Sequence, residues 1–201
     1  MMEFVVTVGV LLFAVVVHEY AHGWEANRRG DPTAKLAGRL TLNPLKHIDL
    51  VGMIIVPVVL RLLGFVPFGW AKPVPVNFRN LFNPKTDMIW VAAAGPAVNL
   101  FLAAVFSVLL KVPVPGWAAE IFSLVIVLNL LLAVFNLVPV PPLDGSRILM
   151  GLLPRPLDRY YGYLEPFGFI ILLFLLNYGF LDFVWGIVAV LAAHLGVASA
   201  A

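Results

Sequence analysis

Apolar residues fall in long unbroken runs along this chain rather than in the one-sided or alternating patterns of a soluble core. Residues 4–17 carry no charge, and the run continues to about residue 25 before Arg28, Arg29, Gly30, Asp31 and Pro32 stop it. About 20 apolar residues suffice to cross a bilayer, so this stretch predicts a first membrane helix. Runs over about 88–110 and 118–138 predict a second and a third, and about 160–178 and 180–197 predict two more. Residues 51–66 are apolar but short, and Pro57 and Arg61 interrupt them; a re-entrant helix is expected there. Residues 67–77 (PFGWAKPVPVN) hold too much proline and glycine for a regular helix. Val74 and Val76 alternate with Pro73 and Pro75, which fits either an extended strand or a proline-rich connector. As a strand, its prolines would blunt one edge and leave the amides of Lys72, Val74 and Val76 on the other.

The expected fold is therefore an all-α polytopic membrane protein. It has about five transmembrane helices plus a re-entrant helix and a short membrane-associated β-strand or hairpin segment. Residues 1–201 form one integral membrane domain, with a core over about 1–153 and two C-terminal transmembrane helices over about 158–197.

Composition strengthens this picture. The chain is 62% hydrophobic and 12% charged, with a mean hydropathy of +0.99, whereas a soluble domain is nearer half apolar and a quarter charged. Its main partner is the lipid bilayer. A net charge of +2 and the lack of a basic cluster with interleaved aromatics give no reason to expect nucleic acid. With no cysteine in the chain, any metal must be held by His, Asp or Glu.

One stretch carries candidate chemistry. The first apolar run ends in HEYAH, residues 18–22. Positions i and i+4 of a helix share a face one turn apart, so His18 and His22 can hold one ion between them. Glu19 can reach a water at that ion and act as its general base, the H-E-x-x-H pattern of zinc hydrolases. Ionisable groups within a membrane span are costly and default to a functional role. A catalytic zinc usually takes three protein ligands. Asp144 lies in FNLVPVPPLDGSR, residues 135–147, where prolines break a membrane helix; such a break is tolerated at membrane depth where protein buries it or it lines a wet cavity. Asp144 is the best third ligand on these grounds, with Glu165 the runner-up. His47 and His194 have no second ligand at i+4 and are expected to be structural. AGPAVN, residues 94–99, offers small residues for close helix contact and the amide of Asn99 as an interhelical hydrogen bonder.

HEYAH on a first helix, AGPAVN on a later one and NLVPVPPLDG closing a third together resemble the site-2 protease family of intramembrane zinc metalloproteases. The resemblance spans about residues 14–147. It implies one Zn2+ held by His18, His22 and Asp144, with Glu19 as the catalytic glutamate. The implied substrate is a membrane helix of another protein, hydrolysed within the bilayer. Asn136 matches a position expected near the substrate, and GWAK, residues 69–72, resembles a strand segment beside the active site. Lys72, Val74 and Asn99 are further substrate-binding candidates. Residues 31–65 are longer than the shortest family members need, and no room remains for a PDZ or CBS domain, so a minimal member is expected. Two rivals stand beside this reading. One is another H-E-x-x-H membrane protease whose third ligand is a downstream glutamate. The other is a metal site in a transporter or sensor.

Charge placement predicts the topology. If 51–66 enters and leaves on one side, 12 of the 13 basic residues share that side and only Lys111 faces the other. The positive-inside rule makes the crowded side cytoplasmic. The chain then starts outside and, with two crossings after the third span, ends inside. The expected location is the cell membrane, with the metal roughly 10 Å in from the cytoplasmic end of its helix at 1.5 Å per residue.

Overall fold

The computed structural model describes residues 1–197. It is helical, and no strand forms among the described residues. Helix α1 spans Met2–Arg28, α4 spans Pro84–Leu109 and α5 spans Gly116–Asn136. Short helices α2 (Thr33–Leu36) and α3 (Val56–Leu62) lie between α1 and α4. After α5 come α6 (Asp144–Leu152), α7 (Leu157–Gly162), α8 (Gly168–Asn177) and α9 (Phe180–His194). The three long runs read from the sequence are thus α1, α4 and α5, each long enough to cross a bilayer at 1.5 Å per residue.

By length and composition a fourth candidate span is Leu157–Asn177, which makes four such helices rather than five. The packing divides the C-terminal region differently. Contacts of 157–177 run along the end of the bundle that holds HEYAH. Asp158 meets Lys85 at 3.0 Å, the Tyr161 hydroxyl donates to Pro139 O at 2.8 Å, and Gly168 lies against Pro141. Leu172 and Leu176 bury themselves with Leu143, Phe135 and Phe180.

Helix α9 instead runs the length of the bundle. It starts where the Phe180 ring meets Phe135 near the end of α5. Val184, Val188 and Ala192 then pack with Ala103, Ile126 and Leu130. It finishes where the Ser107 hydroxyl donates to Leu195 O at 2.7 Å. The described C-terminus therefore lies at the end of the bundle away from HEYAH, opposite to the expectation of two successive crossings. The sequence shows two apolar runs of similar length; only their packing partners tell them apart.

The region between α1 and α4 folds back on itself. An apolar helical stretch covers Val51–Leu62, with a first turn of π geometry over Val51–Ile55. At about 18 Å it is too short to cross. The chain then returns to where it left: the Trp70 amide donates to Gly52 O at 3.3 Å and the Lys72 amide to His47 O at 2.9 Å. Residues 66–77 are irregular, not a strand or hairpin. Pro73 and Pro75 cannot donate to a ladder, and side chains take the place of a partner strand. Arg39 donates to Lys72 O at 2.8 Å, and buried Asp31 accepts from the Asn77 amide at 2.7 Å. Burial alone would push the Asp31 carboxyl up. Hydrogen bonds from Thr33, Asn80 and the amides of Asn77 and Thr33 outweigh it and hold the group below the usual carboxylate range.

Candidate metal centre

His18 and His22 lie one turn apart on α1, both buried against α4. Their Nε2 atoms are 3.0 Å apart. Asp144 Oδ2 sits 3.1 Å from the first and 3.2 Å from the second. Among the described residues these three form the one group of ligand-type side chains close enough to share an ion.

The protonation pattern follows from the neighbours. His22 Nδ1 faces Val91 O at 2.7 Å. A carbonyl only accepts, so Nδ1 carries a hydrogen, and in the neutral imidazole a metal ligand requires, Nε2 presents a lone pair. His18 Nδ1 faces Asn99 Oδ1 at 2.6 Å, with the same result. With both rings neutral, two imidazole lone pairs and a carboxylate oxygen point at one another with no hydrogen between them, and Asp144 Oδ2 is buried without a hydrogen-bond donor. Such a triangle of acceptors repels unless a cation lies among them. A tetrahedral zinc with ligands at ~2.0–2.1 Å separates its ligand atoms by roughly 3.3 Å, close to the triangle observed. The donor set therefore fits zinc.

Helix α4 serves both histidines with one stripe. Val91, Gly95 and Asn99 follow at four-residue spacing and so share a face, and α1 runs antiparallel with His22 opposite Val91 and His18 opposite Asn99. Gly95 lies between. A Cβ there would stand 2.4 Å from His22 Nε2 and 2.6 Å from His18 Nε2, so the histidine rings occupy the space a side chain would need.

Asp144 arrives through the break after α5. It is the first residue of α6. A Cβ on Gly145 would meet Leu137 O at 2.2 Å, so the LDG glycine lets the start of α6 press on the α5 terminus. At the other end of α6, Lys85 Nζ donates to Leu153 O at 2.5 Å.

Glu19 is anchored by the irregular segment. The Val74 amide donates to its Oε2 at 2.7 Å, and Val74 itself is buried. The edge expected to be open is therefore largely taken: the amides of Lys72 and Val74 serve His47 O and Glu19. Asn99 is fully buried, and its oxygen and amide hydrogens are engaged by His18, Asn129 and Ala14 O within the helix bundle. Asn136 ends α5 half-buried, with its amide donating to Leu132 O at 3.0 Å. Glu165 is exposed and pairs with Arg147 at 2.5 Å. His47 is buried with Nε2 against Thr41 O, and His194 bonds its own helix at Val190 O. The sequence marks Gly95 only as a small residue for close helix contact and does not single out Asn129. The available signal was the four-residue spacing of Val91, Gly95 and Asn99, which matches that of the two histidines.

A two-histidine, one-aspartate centre among apolar helices is the arrangement of a membrane-embedded metal hydrolase. The family model of Peptidase family M50 matches residues 111–175, a stretch that holds Asn136 and Asp144. A Bacillus subtilis (strain 168) protein named "Putative zinc metalloprotease YwhC" is 41% identical over 175 residues, 82% of this chain and 77% of its own. "Putative zinc metalloprotease Rip2" of Mycolicibacterium smegmatis is 30% identical over 176 residues, 86% of this chain and 67% of its own. No solved structure matches. The chain belongs to peptidase family M50, the site-2 protease type, and is an integral membrane zinc metalloprotease with Zn2+ as its cofactor.

Proposed function

We propose that this protein cleaves membrane-embedded segments of other proteins, with His18, His22 and Asp144 holding the zinc and Glu19 as general base. The observation that carries this reading is the buried triangle formed by His18, His22 and Asp144, with the Glu19 carboxylate on the same helix as the two histidines. Bound there, zinc supplies Lewis-acid polarisation of the scissile carbonyl and makes water a stronger acid. Glu19 takes the proton of the attacking water and passes it to the leaving amine. The Val74 amide holds Oε2 and leaves Oε1 for that exchange. Local unwinding of the substrate helix precedes attack, because a helical backbone is committed to its own hydrogen bonds. Strand addition along 72–76 is supported only at Val76, whose amide is not one of the two spent on His47 O and Glu19. The side-chain oxygen of half-buried Asn136 is a second candidate for the unwound chain.

The assignment of ligands is tested by zinc content. Asp144→Ala is expected to purify with little or no zinc, whereas Glu165→Ala keeps about one ion per chain, the usual stoichiometry of such a site. The reverse outcome would restore the rival protease with a glutamate ligand.

In the membrane, Val51–Leu62 enters and leaves from the cytoplasmic side of the cell membrane, as the paired contacts at His47–Lys72 and Gly52–Trp70 support. Helices α1, α4 and α5 cross, and α9, a shorter apolar helix of 15 residues, crosses beside them, as its packing from Phe135 to Ser107 supports. No basic residue follows Arg159, so the charge argument is unchanged when α9 returns the chain to the outer side. The cysteine-free sequence allows a direct check. In cells, Lys111→Cys and His194→Cys are expected to react with an impermeant maleimide from outside, and Lys72→Cys only from the cytoplasm. Labelling of Lys72→Cys from outside would rule out the re-entrant arrangement, and labelling of His194→Cys from the cytoplasm would rule out a crossing by α9.

A further inference from the structure

We propose that Asn99 and Asn129 are positioning residues that fix the tautomer and orientation of His18 for metal binding, through a directional hydrogen-bond chain across three helices. The inference rests on His18 being a zinc ligand.

The chain begins at a main-chain carbonyl. Asn129 Nδ2 donates to Val125 O at 2.8 Å within α5. Since a carbonyl only accepts, the Asn129 amide cannot be turned over, and its oxygen must face away from Val125. That oxygen accepts from Asn99 Nδ2 at 2.7 Å. The same Asn99 nitrogen also faces Ala14 O at 3.3 Å, a second acceptor that fixes its orientation. Asn99 Oδ1 is then left to accept from His18 Nδ1. Each link has only one chemically consistent direction, and the chain ends with the His18 Nε2 lone pair aimed at Asp144 and His22. Both asparagines are fully buried, so water cannot substitute for either partner.

The two histidines are supported differently. His22 takes its acceptor from the α4 backbone at Val91, which no side-chain substitution deletes. His18 depends on side chains alone. Without Asn99, His18 Nδ1–H would be a buried donor with no partner, and the other tautomer or a turned ring would relieve it at the cost of the ligand lone pair. Partners of this kind typically change metal affinity ~10–100-fold when removed. The asymmetry predicts that His18 is the adjustable ligand of the site.

The test measures zinc affinity of the full-length protein in detergent by chelator competition, together with the visible absorption of the Co2+-loaded form. Asn99→Leu is expected to weaken zinc by ~10–100-fold and to alter the cobalt spectrum at saturation. Asn129→Leu acts in the same direction but less, because Ala14 O still orients Asn99. Asn99→Asp, as the neutral acid that this buried site between two acceptors favours, keeps an acceptor for His18 and a donor for Asn129 Oδ1 and is expected to recover most of the affinity, which a purely structural role for the amide would not allow. Asn99→Leu binding zinc within about twofold of the parent would overturn the proposal, as would Asn99→Asp binding no more tightly than Asn99→Leu. If Asn99→Leu does not fold, Asn129→Leu decides: weakened zinc supports the chain, and unchanged zinc refutes it. His18→Ala in the same assay separates the two levels. Zinc retained there would refute the ligand assignment itself, whereas zinc lost there but unaffected by the asparagine variants refutes only the positioning role.

Discussion

Glu19→Gln is expected to retain zinc and to lower cleavage of a model transmembrane substrate by ~10²–10⁴-fold, the usual worth of a positioned acid–base group. The substitution is well isolated. Glutamine has nearly the same shape, and its amide oxygen can still accept from the Val74 amide, so the contact between α1 and the segment at 72–76 survives. None of the three ligand atoms is touched. What is removed is a carboxylate able to take a proton from water and return it to the leaving amine. Metal analysis and a cleavage assay on the same preparation check both halves. Cleavage within about tenfold of the parent would show that Glu19 is not the base.

Gly95→Ala is expected to reduce zinc affinity by at least ~10–100-fold and to reduce cleavage with it, although the residue has no side chain to offer a metal. Alanine is the better helix former by about 1 kcal/mol, so local propensity favours the variant. The site does not. The added methyl would lie 2.4 Å from His22 Nε2 and 2.6 Å from His18 Nε2, well inside van der Waals contact, so the rings must move. Each ring is tied at its far nitrogen, to Val91 O or to Asn99, so displacement breaks a hydrogen bond or withdraws a ligand atom. Gly9→Ala is the control: it lies on the same helix as the histidines, and a Cβ there meets nothing within 4 Å. Equal helicity by circular dichroism and a selective loss of zinc in Gly95→Ala would establish the steric account. Unchanged zinc affinity would show that α1 and α4 can separate enough to admit a methyl.

The candidate chemistry was legible wherever it rests on local spacing. HEYAH places two imidazoles on one helical face because the period of an α-helix makes i and i+4 neighbours, whatever the rest of the chain does. The long apolar runs give α1, α4 and α5 because the bilayer sets their minimum length. Asp144 stood out because its surroundings, three prolines and a glycine, cannot continue a membrane helix. These features are short-range, and one sequence suffices to read them.

The rest depends on residues far apart in the chain. Asn99 could be read as an interhelical hydrogen bonder, but that it holds His18, 81 positions away, is settled only by the antiparallel register of α1 and α4. Gly95 matters because that register places it against His18 and His22. The amide of Val74 looked free for a substrate because proline spacing defines an edge but not what already occupies it; the fold spends it on Glu19. The two C-terminal apolar runs look equivalent by hydropathy. Yet 157–177 packs along the metal end while α9 runs the length of α5, because hydrophobicity drives burial without choosing a direction. The sequence by itself determined the three long helices α1, α4 and α5 and pointed to the side chains proposed to bind metal. Tertiary structure decided which way the last helix runs and which buried amides meet His18, since unpaired polar groups inside a bilayer are tolerated only where a particular partner meets them.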